Sequence, residues 1–233
     1  MSPYLSLLIT FIIAVAFLRF MDFLAFRGWI ESKLSRKIIH IGTGPIFVIC
    51  WLFFPDVEIG RWLGVIVPLV VTVQFILVGT GILKDDAAVK AMTRTGDRRE
   101  ILRGPLFYGL MFIAITLIYW KDSLIGIPAL MIMCGGDGIA DLISSRINSP
   151  RLPWSPEKSV VGSLSVFVGG WLLSMLIFAI YVWDGAFSGP VSIFILPVTW
   201  MALGAALVES LPFKDIDNIT VTIACVLIGY LVF

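Results

Sequence analysis

Residues Val160–Val182 read VVGSLSVFVGGWLLSMLIFAIYV, twenty-three positions without a charge. A helix crosses the bilayer core with about 20 predominantly apolar residues, so this segment spans a membrane on length and chemistry alone. Comparable runs stand on either side of it, at Tyr4–Leu18, Ile38–Phe54, Trp62–Val78, Leu106–Trp120, Leu124–Ile143, Val191–Val208 and Ile219–Phe233. Of 233 residues, 59% are hydrophobic and 14% charged, with mean hydropathy +1.00, where a soluble domain carries about 25% charge. Eight spans consume about 160 residues and leave about 70 for connections. The expected fold is therefore all-α: a polytopic helical membrane bundle of about eight spans, in one transmembrane domain covering 1–233. A net charge of +1 excludes a nucleic-acid binder, which needs a basic excess.

Charge sets the expected topology. Connections 19–37, 79–105, 144–159 and 209–218 carry 5, 6, 3 and 1 Lys/Arg, and the opposite side carries only Arg61 and Lys121. Basic loops stay on the cytoplasmic side, which puts both termini on the other. The first run lacks a basic segment ahead of it and a small-residue cleavage site, so it reads as a span and not a cleaved signal. With no Arg- and Ser-rich transit segment preceding it, the expected location is a bacterial plasma or thylakoid membrane, or a plastid membrane. The outer connections are short, and most unusual polar residues fall on the inner side. Cys50, Cys134 and Cys225 match no metal or redox spacing.

The clearest anomaly is Cys134-Gly135-Gly136-Asp137-Gly138-Ile139-Ala140-Asp141. Eleven apolar residues, Leu124–Cys134, precede it, a rise of about 16 Å or half a bilayer core. This helix must carry Asp137 and Asp141 into the inner leaflet or break at the glycines. Carboxylates at membrane depth are costly and face a cavity or a partner. Four residues apart on a helix, they share a face. Two convergent carboxylates suit a hard cation such as Mg²⁺, completed by phosphates and water. The alternative has one aspartate capping a helix and the other pairing with Arg146.

Further polar groups share the inner side. After Pro150, Pro153 and Pro156, residues Glu157-Lys158-Ser159-Val160-Val161-Gly162-Ser163 open the sixth span, where free N–H groups favour a phosphate. An ordinary helix start with a lysine at lipid headgroups reads equally well. Gly96–Pro105 packs Arg98, Arg99 and Arg103 with Asp97 and Glu100. Arginine forks suit phosphate oxygens, and juxtamembrane clusters look similar. Residues 85–92 could form an amphipathic helix on the membrane surface. Arg36 and Lys37 lead to His40, the only histidine. Glu209, Asp215, Asp217 and Asn218 crowd the last inner loop; the aspartates could hold a second metal or position a hydroxyl, or be solvated acids with Asn218 capping the last helix.

These residues, in this order, resemble the membrane-bound prenol kinases. The carriers are Ser35-Arg36-Lys37-Ile38-Ile39-His40, Gly96-Asp97-Arg98-Arg99-Glu100 with Arg103-Gly104-Pro105-Leu106, Gly136-Asp137-Gly138-Ile139-Ala140-Asp141, Glu157–Ser163, and Glu209-Ser210-Leu211-Pro212 with Asp217-Asn218. The nearest branch is phytol and farnesol kinase, with dolichol kinase more distant. The resemblance implies transfer of a phosphoryl group from a nucleoside triphosphate, characteristically CTP, to a membrane isoprenoid alcohol (phytol, geranylgeraniol or farnesol), with Mg²⁺. It implies metal-binding or catalytic roles for Asp137 and Asp141. Lys158, Ser159 and Ser163 would hold triphosphate with Gly136, Gly138 and Gly162 allowing close approach, and Arg98 and Arg99 would assist. A carboxylate or His40 would accept the hydroxyl proton. The wider superfamily includes phosphatidate cytidylyltransferases, whose C-terminal Lys-Asp and His-Gly-Gly segments are not found here. Outside the family, a transporter with a broken fifth helix competes.

Overall fold

In a computed structural model, the run that opened the sequence is one helix, α7, Val160–Asp184, closed by Gly185 in the left-handed conformation (φ +85°). The structure describes residues 1–233 except 145, 146, 148, 214 and 215, and of residues 137, 140, 141, 142 and 144 only the helical backbone. Each predicted apolar run falls on a helix. In order these are α1 (Pro3–Phe26), α2 (Ser32–Cys50), α3 (Glu58–Thr80), α5 (Gly104–Ile118), α6 (Gly126–Ser144), α7, α8 (Ile195–Glu209) and α9 (Asp217–Val232), with a short α4 (Asp86–Met92) between α3 and α5. Among the described residues, six stretches are long and apolar enough to cross a membrane, and the apolar parts of α6 and α9 are shorter. Large apolar side chains stand exposed along their outer faces, as at Leu164, Leu172, Leu176, Leu207 and Trp183. Water would not tolerate such a surface, and lipid does. The protein is a helical membrane bundle.

The chain divides into two compact units, Met1–Leu117 and Ile118–Phe233. In the first, Leu18, Met21 and Ala25 of α1 pack with Ile39 of α2, Phe75 and Val78 of α3, and Ala91 and Met92 of α4. The segment 85–92 is helical as expected, but its apolar side is buried on this core rather than laid on a membrane: Ala88, Ala91 and Met92 are all buried. Arg19 of α1 fastens it, bonding Asp85 at 2.6 Å, and Asp85 caps α4 through the Ala88 N–H.

The second unit is built around α6. Ile127 and every residue from Ala129 to Cys134 is buried, and a helix apolar all round belongs at the centre of its neighbours. Lipid removes the hydrophobic drive for helices to associate, so close packing at small residues has to supply it. Gly135 and Gly169 show this. A Cβ on Gly169 would lie 2.6 Å from the Gly135 carbonyl oxygen, and one on Gly135 would lie 2.7 Å from that of Gly169. Gly136 meets Val166, and Gly170 meets Ile132, in an antiparallel pair. Helices α8 and α9 close the unit, with Met201, Ala202, Ala205, Val221 and Cys225 packed on Ala129 and Ile132.

Two expectations change here. The glycines do not break α6, which runs unbroken through Gly135, Gly136 and Gly138 to Ser144. The broken fifth helix was the transporter's main support, and it is absent. The proline-rich approach to α7 is a small antiparallel hairpin, β1 (Arg151–Leu152) with β2 (Ser155–Ser159).

Candidate active site

Four helix ends meet at one end of the second unit: the C-terminal ends of α6 and α8 and the N-terminal ends of α7 and α9. A cleft there is lined by Met133 of α6, Val166 of α7, Glu209 of α8, and Asp217, Asn218 and Val221 of α9. Met133, Val166 and Val221 form an apolar floor, and the next helical turn beyond each carries the polar residues. On α6 that turn brings Asp137, four residues on from Met133 and on the same face. On α7 it brings Gly162 and Ser163, and on α9 Asp217 and Asn218. The side chains of Asp137 and Asp141 lie outside the described residues, as does Asp215. The unbroken backbone sets Asp137 and Asp141 one turn apart on a single face of α6, and the antiparallel register brings the Gly162–Ser163 turn alongside theirs.

Lys158 joins the ring from β2. Its Nζ lies 3.0 Å from Glu209 Oε1 and 3.5 Å from Asp217 Oδ1, and it donates to the Glu209 carbonyl. Exposures of 16% for Lys158 and 13% for Glu209 make this a partly buried ion pair, not a surface one. Beside it, the Trp154 indole N–H donates to the Ser210 carbonyl at 3.1 Å and faces its hydroxyl at 3.3 Å. Hairpin and final loop are thus pinned together at two points. Neither contact is visible in the sequence, where the partners stand more than fifty residues apart.

The start of α7 differs from expectation. Its first three N–H groups are already bonded: Val160 to the Pro150 carbonyl, Val161 to Ser149 Oγ at 3.1 Å, and Gly162 to Ser159 Oγ at 3.1 Å. The free donors that favoured a phosphate at this terminus are therefore occupied, and Ser159 acts as the helix cap. Glu157 is exposed, its carbonyl accepting from Arg151. Ser163 stands apart, its buried Oγ having no hydrogen-bond partner among the described residues. Gly136 is pressed against Val166 of α7, and Gly138 is buried within α6. Asn218 does not cap α9; it sits inside the first turn, where its carbonyl accepts from Thr222 Oγ1 at 2.6 Å.

The remaining expected residues lie in the first unit. The His40 ring is 4.5 Å from that of Tyr108, whose hydroxyl donates to the His40 carbonyl at 2.7 Å. Lys37 is buried and Arg36 half-buried on the same helix. Arg98 and Arg99 are exposed on a 3₁₀ turn, Arg98–Leu102, with the Arg98 guanidinium lying over Gly81 at the end of α3. Glu100 builds the loop, accepting from Thr95 Oγ1 at 2.6 Å and from the Arg94 and Thr95 N–H groups. Among the described residues, no three His, Cys, Asp or Glu side chains gather as a metal site.

A probable phytol kinase, chloroplastic, from Triticum aestivum is 37% identical over 222 residues, covering 94% of this chain and 74% of the relative. The farnesol kinase, chloroplastic, of Arabidopsis thaliana is 36% identical over 230 residues, covering 97% and 74%. The chain belongs to the phytol/farnesol kinase family. Phytol kinase 1, chloroplastic, of Arabidopsis thaliana is 36% identical over 209 residues, covering 89% of this chain and 69% of its own. No family model and no solved structure matches the chain. An alcohol-kinase enzyme is what the sequence motifs imply, and membership of the phytol/farnesol kinase family upholds that class. For a phytol/farnesol kinase family member, the ring around the Met133–Val166–Val221 floor unites apolar and charged surfaces in one cleft.

Proposed function

We propose that the chain phosphorylates the hydroxyl of a membrane isoprenoid alcohol, with phytol first and geranylgeraniol or farnesol as further acceptors, using CTP as donor. The observation that carries this reading is likeness along nearly the whole chain to phytol and farnesol kinases, reinforced by an apolar-floored cleft rimmed with charge. The eight apolar helices cross the membrane with both termini on the non-cytoplasmic side, and the cleft opens at the cytoplasmic face of a plastid, thylakoid or bacterial plasma membrane. A prenol tail cannot leave the bilayer and a nucleotide cannot enter it, so hydroxyl and γ-phosphate meet at headgroup depth.

The alcohol oxygen attacks the γ-phosphorus in line. The bond from that phosphorus to the β–γ bridging oxygen breaks and CDP departs. The hydroxyl proton passes to a carboxylate of the ring, and the product is the prenyl monophosphate. Catalysis here is mainly positioning and charge neutralisation. Lys158 turns from Glu209 and Asp217 to the triphosphate, while Glu209 and Asp217 hold its ammonium in place between turnovers. The donor chemistry of the ring fits Mg²⁺: hard carboxylate and amide oxygens, with Asp137 and Asp141 on one face of an unbroken helix. Asp137 and Asp141 would hold the ion, which would supply neutralisation of triphosphate charge. Product analysis tests the reaction: γ-labelled CTP should place its label in a lipid monophosphate and leave CDP. Recovery of a CDP-lipid with release of pyrophosphate would overturn the reading in favour of a nucleotidyl transfer.

A further inference from the structure

We propose that Ser163 receives the hydroxyl of the acceptor alcohol and orients it for attack. The assignment rests on the kinase reading above and departs from the triphosphate role that the family resemblance implies for this residue.

Most described serine and threonine hydroxyls in these helices share one fate, bonding back to the carbonyl four residues earlier; Ser35 of α2 and Ser163 of α7 are the buried exceptions. Thr72 donates to Pro68, Thr116 to Phe112, Ser165 to Val161 and Ser174 to Gly170, all at 2.6–2.8 Å. This is the inexpensive solution wherever water is excluded. Ser163 sits two residues from Ser165 on the same helix, yet its Oγ is buried and, among the described residues, bonds to nothing. Leaving a buried hydroxyl unsatisfied costs about 1–3 kcal/mol, so an exception of this kind needs a reason. Helix capping is not the reason, because Pro150, Ser149 and Ser159 already take the first three N–H groups of α7.

Position supplies one. Ser163 lies one helical turn before Val166 of the cleft floor, on the stretch of α7 that the antiparallel register sets beside the α6 turn carrying Asp137 and Asp141. A triphosphate is matched by positive charge, and Lys158 supplies it at the partly buried rim with Glu209 and Asp217. A neutral, buried hydroxyl one turn from the apolar floor is matched by a neutral ligand that arrives from the lipid side. A primary alcohol is such a ligand. Its oxygen accepts from the Ser163 O–H and keeps a second lone pair for phosphorus, its own proton stays available to a carboxylate of the ring, and its tail continues over apolar surface.

The test is steady-state transfer from γ-labelled CTP in nanodiscs, varying the mole fraction of phytol and the concentration of CTP separately, for the native protein, Ser163→Ala and Ser163→Thr. Ser163→Ala should raise the KM for phytol about tenfold, the scale of one neutral hydrogen bond, with the KM for CTP within about twofold. Ser163→Thr, which keeps the hydroxyl, should restore most of the loss. A rise in the CTP KM with the phytol KM unchanged would overturn the assignment, as would no change in either. Melting with and without phytol is read in parallel. Phytol should stabilise the native protein and Ser163→Thr but not Ser163→Ala. If the native protein transfers no phosphate, the kinase reading fails, yet a phytol-induced shift lost only in Ser163→Ala still supports this residue. A native protein that phytol leaves unshifted, or a shift retained in Ser163→Ala, refutes it.

Discussion

A single methyl group at Gly169 should push α6 and α7 apart. The Cβ of Gly169→Ala would stand 2.6 Å from the Gly135 carbonyl oxygen, 2.9 Å from Ile139 Cδ1 and 3.1 Å from Ile139 Cβ. Comfortable contact needs about 3.5 Å, so the shortfall at the carbonyl is ~1 Å. The obstructing atom is backbone, so no rotamer change relieves it and the helices must separate or slide. Overpacking of this kind costs about 1–3 kcal/mol, which corresponds to about 3–10 °C in melting temperature for a chain of this size. The effect on turnover should be larger than the effect on stability. Helix α6 carries Asp137 and Asp141 about half a turn and about one and a half turns beyond the contact at Gly135, and a misplacement of ~1 Å at reacting groups can cost about 10²-fold. The assay is melting of detergent-solubilised protein beside kcat with CTP and phytol. Gly104→Ala is the control, since a Cβ there meets nothing within 4 Å. If Gly169→Ala melts and turns over like the native protein, the close α6–α7 contact does not position the ring, and the reasoning is refuted.

Other expectations follow from the same contacts. Lys158→Met leaves Glu209 and Asp217 facing each other without their shared cation, and should cost roughly 1–3 kcal/mol, between the exposed and fully buried cases; adding Glu209→Gln should recover part of the melting temperature, and a double variant no better than the single would show that the pair is not coupled. In Gly81→Ala, a residue at φ +83° acquires a Cβ 2.6 Å from Arg98 Cζ. The left-handed backbone costs about 1–2 kcal/mol, and displacement of the Arg98 guanidinium should raise the KM for CTP; an unchanged KM would remove Arg98 from nucleotide binding.

Much of the fold was legible because lipid imposes a length rule on apolar sequence. The run Val160–Val182 emerged as α7, and the other seven runs fell on helices as well, since a bilayer leaves the backbone few alternatives. The two-strand hairpin was not legible: β1 has two residues, and three prolines with Trp154 between them read as an irregular approach. The acids of the final loop were singled out by composition, but their engagement with Lys158 spans fifty-one positions, and no local pattern encodes it. The start of α7 misled for a specific reason. Terminal N–H groups are open by default, and Ser149 and Pro150 close two of them from within the preceding segment. The glycines at 135 and 136 read equally as phosphate-approach and packing residues in sequence; the contact distances put their faces against α7.

The central claim is that the ring at the ends of α6–α9 is where phosphate is transferred. The most direct test is transfer of label from γ-labelled CTP to phytol by native protein and by Asp137→Asn, with and without Mg²⁺, on samples matched for melting temperature. The account predicts Mg²⁺-dependent label in phytyl phosphate for the native protein and a loss of about 10³-fold in the variant with melting unchanged. Near-native transfer by a folded Asp137→Asn protein would contradict it.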